Sequence, residues 1–209
     1  MPYNDSSRIN TSFDAILCIN LDRRPARMEK ACEQFANVGI ENVLRFSAID
    51  GSKLDYRTAL NAGQLGCTLS HLFVLEYARD NNLESILIFE DDVEFAENFN
   101  EIFNQAIDEL PKDWHMLYFG GNHFHGVVPH SQHLVKLKGT LTTHAIAVHS
   151  RFYHVAISTI RERLNQIIDV TYMQLHAQYP CYSIHPKITF QTAGFSDLEM
   201  REVDYSVLK

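Results

Sequence analysis

The sequence predicts an α/β fold with a mostly parallel sheet, and three observations lead to that prediction. Strand-like and helix-like patterns alternate over the first 120 residues, with short connections between them. The run from Ile86 to Phe89 is wholly apolar, as expected of a strand that is covered on both faces. The chain has 209 residues, 45% of them hydrophobic, which suffices for one globular domain without disulfide staples.

The first half of the chain supplies four predicted strands and three predicted helices. The strands are short apolar runs that end in polar residues or glycine, at residues 15–19, 43–46, 85–89 and 116–119. The helices carry apolar residues at helical spacing, at residues 25–36, 64–79 and 98–110. Pro25 suits a first helical turn, and Gly39 and Pro111 follow helix ends.

The second half is less regular. Residues 122–133 carry four histidines and are predicted to form a loop. Two strands, at 134–137 and 142–148, are expected to form a hairpin about Lys138 and Gly139. Two helices near 150–164 and 169–178 and a strand at 181–184 complete the series. We expect a single domain over residues 1–209, with a loose polar lead-in at 1–13 and two halves at 14–120 and 121–209.

Charge and cysteine content narrow the function classes. The formal net charge of −8 argues against a broad nucleic-acid surface, which needs clustered Lys and Arg. The four cysteines form no C-x-x-C pair, so we expect reduced thiols in a reducing compartment. No signal core and no apolar stretch of about 20 residues occurs, which predicts a cytoplasmic protein without a transmembrane segment. A homo-oligomer is left open.

An acidic triplet, Glu90-Asp91-Asp92, directly follows the strand at 85–89. Ligands bind beyond the carboxyl ends of parallel strands, so this position favours a site over its alternative, a solvated acidic turn. Side chains alternate along a strand, so Glu90 and Asp92 are expected on one side and Asp91 on the other. Two carboxylates on one side repel unless a cation lies between them, and oxygen ligands suit Mg²⁺ or Mn²⁺.

Six short motifs follow one another between residues 15 and 150. They are Ile19-Asn20-Leu21-Asp22-Arg23-Arg24, Ala48-Ile49-Asp50-Gly51, Gly63-Gln64-Leu65-Gly66-Cys67-Thr68-Leu69-Ser70-His71, Ile88-Phe89-Glu90-Asp91-Asp92-Val93, Trp114-His115-Met116-Leu117-Tyr118-Phe119-Gly120 and Thr142-Thr143-His144-Ala145. In this order they resemble glycosyltransferase family 25, which includes bacterial lipopolysaccharide galactosyltransferases and animal collagen galactosyltransferases. The C-terminal third matches less closely.

The resemblance implies a glycosyltransferase type A fold, with a Rossmann-like sheet and flanking helices, and an inverting transfer. The donor would be a UDP-sugar carrying galactose or glucose, and the acceptor a hydroxyl of a glycan, a lipopolysaccharide or other lipid-linked glycan, or a protein. The cofactor would be Mn²⁺ or Mg²⁺, with Asp92 as first metal ligand and Glu90 in support. Residues 14–120 would bind the nucleotide sugar and residues 121–209 the acceptor.

The same resemblance suggests donor contacts for polar residues at the first two strand ends. Asn20 and Asp22 would hydrogen-bond the base and ribose, and Arg24 would approach the diphosphate, because a guanidinium donates two parallel bonds. The alternative for Arg24 is a solvated helix start. Asp50 would accept from a ribose hydroxyl, and Gly51 would let the chain turn sharply.

Two further positions are expected to face the donor from the helix at 64–79, and a third from the triplet. Ser70 and His71 lie one turn beyond the small residues that open this helix, and Asp91 would reach the ribose. A satisfied core histidine is the alternative for His71 and also for His144.

The remaining histidines lead to two further expectations. The histidine-rich stretch at 122–133 has neither paired cysteines nor a helical H-x-x-x-H pattern, so we expect a lid over the donor there rather than a zinc site. His185 is considered as an additional metal ligand, with a structural role beside Pro186 as the alternative.

An inverting transfer needs a general base that removes the proton from the acceptor hydroxyl. Asp169, at the start of a predicted helix, is the first candidate, and Asp197 is the second. Asp169 can instead cap that helix, and Asp197 can instead form an Asx turn.

Two other function classes remain as alternatives. A non-catalytic sugar-nucleotide-binding or interaction module would bind a UDP-sugar without transferring it to any acceptor. A nucleotidyltransferase would release diphosphate from a nucleoside triphosphate, but the sequence has no Gly-rich phosphate loop with a lysine.

Overall fold

A computed structural model describes residues 8–197 and 201–204. Within them lie the α-helices α1 (Arg8–Ser12), α2 (Pro25–Asn37), α3 (Ala62–Asp80), α4 (Phe99–Glu109), α5 (Ser150–Glu162) and α6 (Ile168–His176), and a short 3₁₀ helix at Gly51–Lys53. No helix in these two ranges is both long and apolar enough to cross a membrane. The five longer helices confirm the five predicted from apolar spacing.

The described strands are numbered in chain order. They are β1 (Ala15–Asn20), β2 (Leu44–Ser47), β3 (Ser85–Glu90), β4 (Val93–Phe95), β5 (Met116–Tyr118), β6 (Asn122–His123), β7 (Val127–Pro129), β8 (Leu134–Leu137), β9 (Thr140–Leu141), β10 (Ala145–His149), β11 (Cys181–Ile184), β12 (Thr189–Gln191), β13 (Gly194–Ser196) and β14 (Arg201–Val203).

Eight of these strands form the central sheet, in the order β2-β1-β3-β10-β5-β11-β8-β7. Three neighbouring pairs are parallel and four are antiparallel. Because β10 and β8 alone are reversed within this sheet, the other six strands run the same way. The predicted α/β fold with a mostly parallel sheet is confirmed in this sense. Strand β10, from the second half of the chain, lies between β3 and β5, so the two predicted halves share one sheet.

The sheet is covered on both faces, as the wholly apolar third strand predicts. Leu87 and Phe89 of β3 belong to a core cluster that includes apolar residues of α1, α2 and α4. Ile86 and Ile88 belong to a second cluster with residues of α3, α5 and α6. Alternate side chains of one strand therefore enter two separate cores, which fixes the register of β3 and the place where it ends.

The start of α3 is held close to the 3₁₀ helix, and two glycines make that approach possible. Asn61 and Gln64 form a reciprocal capping box at the helix start. A Cβ on Gly66 would lie 2.4 Å from the Ile49 carbonyl oxygen, and one on Gly51 would lie 2.0 Å from that of Ala62. The backbone contact therefore requires glycine at both positions.

Three segments differ from the sequence-based expectation. Residues 8–12 of the lead-in form α1, because Ile9 is buried against the first core cluster. The predicted loop at 122–133 contains β6 and β7, which pair with β9 and β8. The predicted hairpin about Lys138 and Gly139 is wrong, because β8 pairs with β7 and β11 while β10 inserts between β3 and β5.

The close backbone contact at the start of α3 determines whether Gly66→Ala stabilises or destabilises the protein. In a helix interior, replacing Gly by Ala normally stabilises by about 0.5–1 kcal/mol. We expect Gly66→Ala to destabilise instead, by about 1–3 kcal/mol, because the new methyl group meets a backbone oxygen that cannot rotate away. Urea unfolding measures this difference, and a more stable variant would contradict the contact.

His176 makes the fold sensitive to acid. Its Nδ1 accepts from the Thr140 N–H (3.1 Å), so the ring proton lies on Nε2 and points to the Tyr118 hydroxyl (3.1 Å). Burial lowers the pKa of His176 to about 3, whereas an unfolded histidine has a pKa of about 6.5. The unfolded state alone takes up this proton, so stability is full above pH 6.5 and is lost as pH falls towards 3.

We therefore expect His176→Gln to flatten the acid side of the stability curve. The free energy of unfolding should depend on pH less steeply than in the wild type, by about 1.4 kcal/mol per pH unit between roughly pH 6 and 4. Urea titrations at several pH values check this, and parallel curves for the two proteins would count against a neutral His176.

Candidate active site

A cavity of about 590 Å³ opens at the carboxyl ends of β1 and β3. Its walls come from the β1–α2 connection, the 3₁₀ helix, the first half of α3, the turn after β3 and residues 141–143. The polar side chains that border it belong to Arg23, Arg24, Arg27, Asp50, Ser52, Cys67, Ser70, His71, Glu90, Asp91, Asp92, Asn122, Thr142, Thr143, Asp169, Gln191, Ser196 and Asp197. Its place and size suit a small charged ligand.

The acidic triplet borders this cavity, but not with strict strand alternation. Strand β3 ends at Glu90 and the chain turns at Asp91 and Asp92. Arg27 Nη2 lies 2.6 Å from Asp91 Oδ1 and 3.3 Å from Asp92 Oδ2, so one guanidinium bridges the two aspartates. The expectation that Asp91 alone points away is therefore wrong, because strand geometry stops one residue earlier.

Asp92 has an uncompensated oxygen. Its Oδ1 is buried and has no hydrogen-bond partner within the described chain, while Oδ2 lies 3.4 Å from Gln191 Nε2. Burial and then the charge of Glu90 raise the pKa of Asp92 to about 7. A partly buried carboxylate with one unpaired buried oxygen favours a bound cation, and its hard oxygen fits Mg²⁺ or Mn²⁺.

Glu90 is directed towards α3 and the loop before β10. Its Oε1 accepts from the Thr143 hydroxyl (2.7 Å) and lies 3.4 Å from His71 Nε2. Burial raises the pKa of Glu90, but the hydrogen bonds from His71 and Thr143 outweigh that effect and lower it. Glu90 is therefore held as a carboxylate by two partners.

Asp169 is partly buried and lies near Glu90. Its Oδ2 accepts from the Thr142 N–H (2.8 Å), and its Oδ1 lies 3.2 Å from the Thr143 hydroxyl. That hydroxyl has one proton, and the shorter distance assigns it to Glu90. Burial and then the charge of Glu90 raise the pKa of Asp169. The N-cap of α6 is Ile167, so helix capping does not account for Asp169.

Three arginines gather at the cavity around Asp197. Arg24 donates two 3.0 Å bonds to its carboxylate, Arg23 donates one of 2.8 Å, and Arg27 Nη1 lies 3.7 Å away. Burial raises the pKa of Asp197, but the hydrogen bonds from Arg24 and Arg23 outweigh it and lower the pKa. Asp197 thus neutralises part of a cluster of three guanidinium groups, which donate paired hydrogen bonds to anionic oxygens.

The predicted residues of the 3₁₀ helix and α3 also border the cavity. Asp50 accepts from the Ser52 backbone and hydroxyl and from Arg23. Ser70 donates to the Gly66 carbonyl and accepts from the Ile49 N–H, so its hydroxyl supports the α3 contact.

Three predicted site residues do not reach the cavity. Asn20 is 1% exposed and its amide is used by Asp91, Arg45 and the Arg24 carbonyl, so it supports the triplet from behind. Asp22 is exposed and pairs with Arg45 and Ser47. His185 is exposed at the end of β11 and is absent from the cavity wall. In this geometry Asn20, Asp22 and His185 lie outside the cavity wall, and their assignments to the donor and the metal stay predictions.

The other histidines are mostly structural. His144 is buried, its Nε2 lies 3.1 Å from Thr189 Oγ1, and burial lowers its pKa to about 4. In the histidine-rich stretch, His123 contacts Thr140 and His133 contacts Glu109. The only group of three or more metal-ligating side chains found within the described ranges lies elsewhere, at Cys67, His71 and Glu90. The lid remains a prediction.

Several cavity residues were not expected from the sequence, and four of them show what signal was missed. Arg27 lies one helical turn beyond Arg24, a spacing that could have placed both on one face of α2. Cys67 precedes His71 by four residues on α3, which also puts them on one face. Thr143 belongs to a quoted motif without an assigned role, and Gln191 comes from β12, which no apolar pattern predicts.

Comparisons with known proteins show which proteins this chain is similar to. A Drosophila melanogaster protein named glycosyltransferase 25 family member is 33% identical over 52% of this chain and 21% of its own length. Procollagen galactosyltransferase 2 of Mus musculus is 32% identical over 52% and 21%. A Bos taurus protein named probable inactive glycosyltransferase 25 family member 3 is 29% identical over 52% and 22%.

The matched region is about a fifth of the full length of each of these relatives. The family model described as glycosyltransferase family 25 (LPS biosynthesis protein) matches residues 13–168. That match covers most of the chain and includes β1, the acidic triplet and the Thr142–Ala145 motif. The protein therefore belongs to glycosyltransferase family 25.

Proposed function

We propose that this chain is a metal-dependent, inverting glycosyltransferase that moves a hexose, galactose or glucose, from a UDP-sugar to a hydroxyl acceptor. The observation that carries the proposal is the pairing, in one cavity, of an uncompensated Asp92 oxygen with a cluster of three arginines. A nucleoside diphosphate joined to one divalent cation complements both features. The acceptor class is a glycan, a lipopolysaccharide or a protein, and a cytoplasmic location remains part of the proposal.

The arginine cluster would hold the diphosphate. Arg23 and Arg24 present their guanidinium groups at the cavity, where Asp197 now accepts from both. Phosphate oxygens accept the same pairs of parallel hydrogen bonds as a carboxylate. Asp50 and the adjoining Ser52 hydroxyl offer an acceptor and a donor for the ribose.

Asp92 would hold the cation, with Glu90 in support through water or the donor. Such an ion takes one or two protein carboxylates and completes its shell with phosphate oxygens and water. When bound, it would neutralise the charge that develops on the departing diphosphate. Asp91 is already bridged to Arg27 and bound by Asn20, so it orients this region rather than serving as the principal ligand.

Asp169 would act as the general base. A base works best when its pKa is close to the working pH, and burial beside Glu90 raises the pKa of Asp169. The Thr142 N–H fixes the orientation of its carboxylate at the cavity wall. Asp197, in contrast, has a lowered pKa and its oxygens are used by the arginines, so it fits the donor side better.

One specific observation favours a second candidate function, a non-catalytic sugar-nucleotide-binding module. A relative as similar as the bovine protein is named probable inactive. This alternative requires UDP-sugar binding without metal-dependent hydrolysis or transfer to any acceptor. A panel of nucleotide sugars assayed for release of free UDP separates the two functions.

Asp92→Asn tests the cation site. In the wild type we expect UDP with Mn²⁺ to raise the free energy of unfolding by about 2.7 kcal/mol at a hundredfold excess over its dissociation constant. The variant should lose the Mn²⁺-dependent part of this stabilisation, because an amide is a far weaker ligand. Asp22→Asn makes the same change outside the cavity and should keep it. Equal stabilisation of both variants would refute the assignment.

Asp169→Asn tests the base. The amide can still accept from the Thr142 N–H, so folding and UDP binding should persist. We expect kcat to fall by about 10²–10⁴-fold, the usual contribution of a positioned base. Asp197→Asn should change KM more than kcat. A larger loss of kcat in Asp197→Asn than in Asp169→Asn would reverse the two roles.

A further inference from the structure

Three chemically different ligand groups meet where α3 faces the end of β3. Cys67 and His71 lie four residues apart on α3, and Glu90 is the last residue of β3. One atom of each, the thiol sulfur, an imidazole nitrogen and a carboxylate oxygen, lies within 4.8 Å of the other two. The donors of a tetrahedral zinc site are about 3.5 Å apart, so small side-chain rotations would complete it.

The donor function leaves much of this group unused. The Cys67 thiol borders the cavity and has no role in the proposed function. The His71 ring is fully buried, yet its Nδ1 has no hydrogen-bond partner in the described part of the chain. Its Nε2 makes one long contact of 3.4 Å with Glu90. A buried imidazole held so weakly is available as a ligand.

We propose that Cys67, His71 and Glu90 bind one thiophilic divalent cation, Zn²⁺, at a site separate from the oxygen ligand Asp92. Sulfur and nitrogen donors select Zn²⁺ over Mg²⁺ or Mn²⁺, which prefer oxygen. All three side chains border the cavity, so an ion held by them would lie beside the space proposed for the donor.

Zn²⁺ binding releases one proton, from the Cys67 thiol. The Cys67 S–H bond breaks, a sulfur–zinc bond forms, and the proton passes to solvent, with no change of oxidation state. The contact between His71 and Glu90 is replaced by a bond from each to the metal. The Thr143 hydroxyl can remain on Glu90, because a carboxylate has further lone pairs.

The site has a consequence for the cavity if the proposed function holds. Zn²⁺ would take Glu90, which supports the neighbouring cation site, and would place a ligand position in the donor space. Zn²⁺ and the UDP-sugar would therefore weaken each other's binding, by the same factor in both directions. The metal site itself can be tested without donor or acceptor.

Co²⁺ replaces Zn²⁺ in a direct optical test. The metal-free wild-type protein, titrated with Co²⁺ and kept reduced, should show a sulfur-to-cobalt charge-transfer band that saturates at one ion per chain and is bleached by Zn²⁺. Cys67→Ser should lose the band and bind Zn²⁺ at least about 100-fold more weakly. Cys32→Ser removes an exposed thiol outside the cavity and should keep the band. Asp92→Asn should also keep it.

Zinc X-ray absorption of the wild-type complex gives a second measurement that needs no variant. One sulfur in the zinc shell, with nitrogen and oxygen neighbours, is expected. An absent band, a shell without sulfur, or a band that survives in Cys67→Ser would overturn the zinc site. Loss of the band in Asp92→Asn would show that the two sites are one, which also overturns it. UDP binding with Mn²⁺ is measured separately, so its failure would refute the donor function and leave the zinc result standing.

Discussion

The site is built around three carboxylates, Glu90, Asp91 and Asp92, that the buried strand β3 brings together at its end. Strand β3 enters both cores with alternate side chains and then delivers three consecutive carboxylates into a cavity. Arg27 bridges two of them, and His71 and Thr143 hold the third. One oxygen of Asp92 remains uncompensated within the described residues. The packing of the strand therefore creates the electrostatic demand that a cation would satisfy.

The arginines on the other side of the cavity are likewise held in place by partners of opposite charge. Arg23 and Arg24 stand at the start of α2, where free guanidinium groups would repel one another. Asp197, just after β13, accepts from both and keeps them in place. A ligand diphosphate would exchange one anionic partner for another instead of ordering loose side chains. The cavity is thus organised before a ligand arrives, which lowers the entropy loss on binding.

What the sequence could predict depends on how far apart in the chain the interacting residues lie. The apolar run at 85–89 and the helices were predictable, because their periodicity is local. The partners of Asn20 were not, since Asp91 and Arg45 are far from it in the chain and consume its amide. The turn at Asp91 ends strand geometry without any Gly or Pro to mark it. The charge of Asp197 was visible, but the arginines that hold it are more than 170 residues away.

The position of β10 also constrains the order in which the molecule can assemble. During synthesis, β3 and β5 leave the ribosome before β10, yet β10 pairs with both of them. Until residue 149 is available, two apolar strands have open edges and the Glu90 carboxylate at the end of β3 lacks the Thr143 hydroxyl. Open edges of this kind invite pairing with other chains. A fragment that ends near residue 120 would therefore expose both strand edges to pairing with other chains.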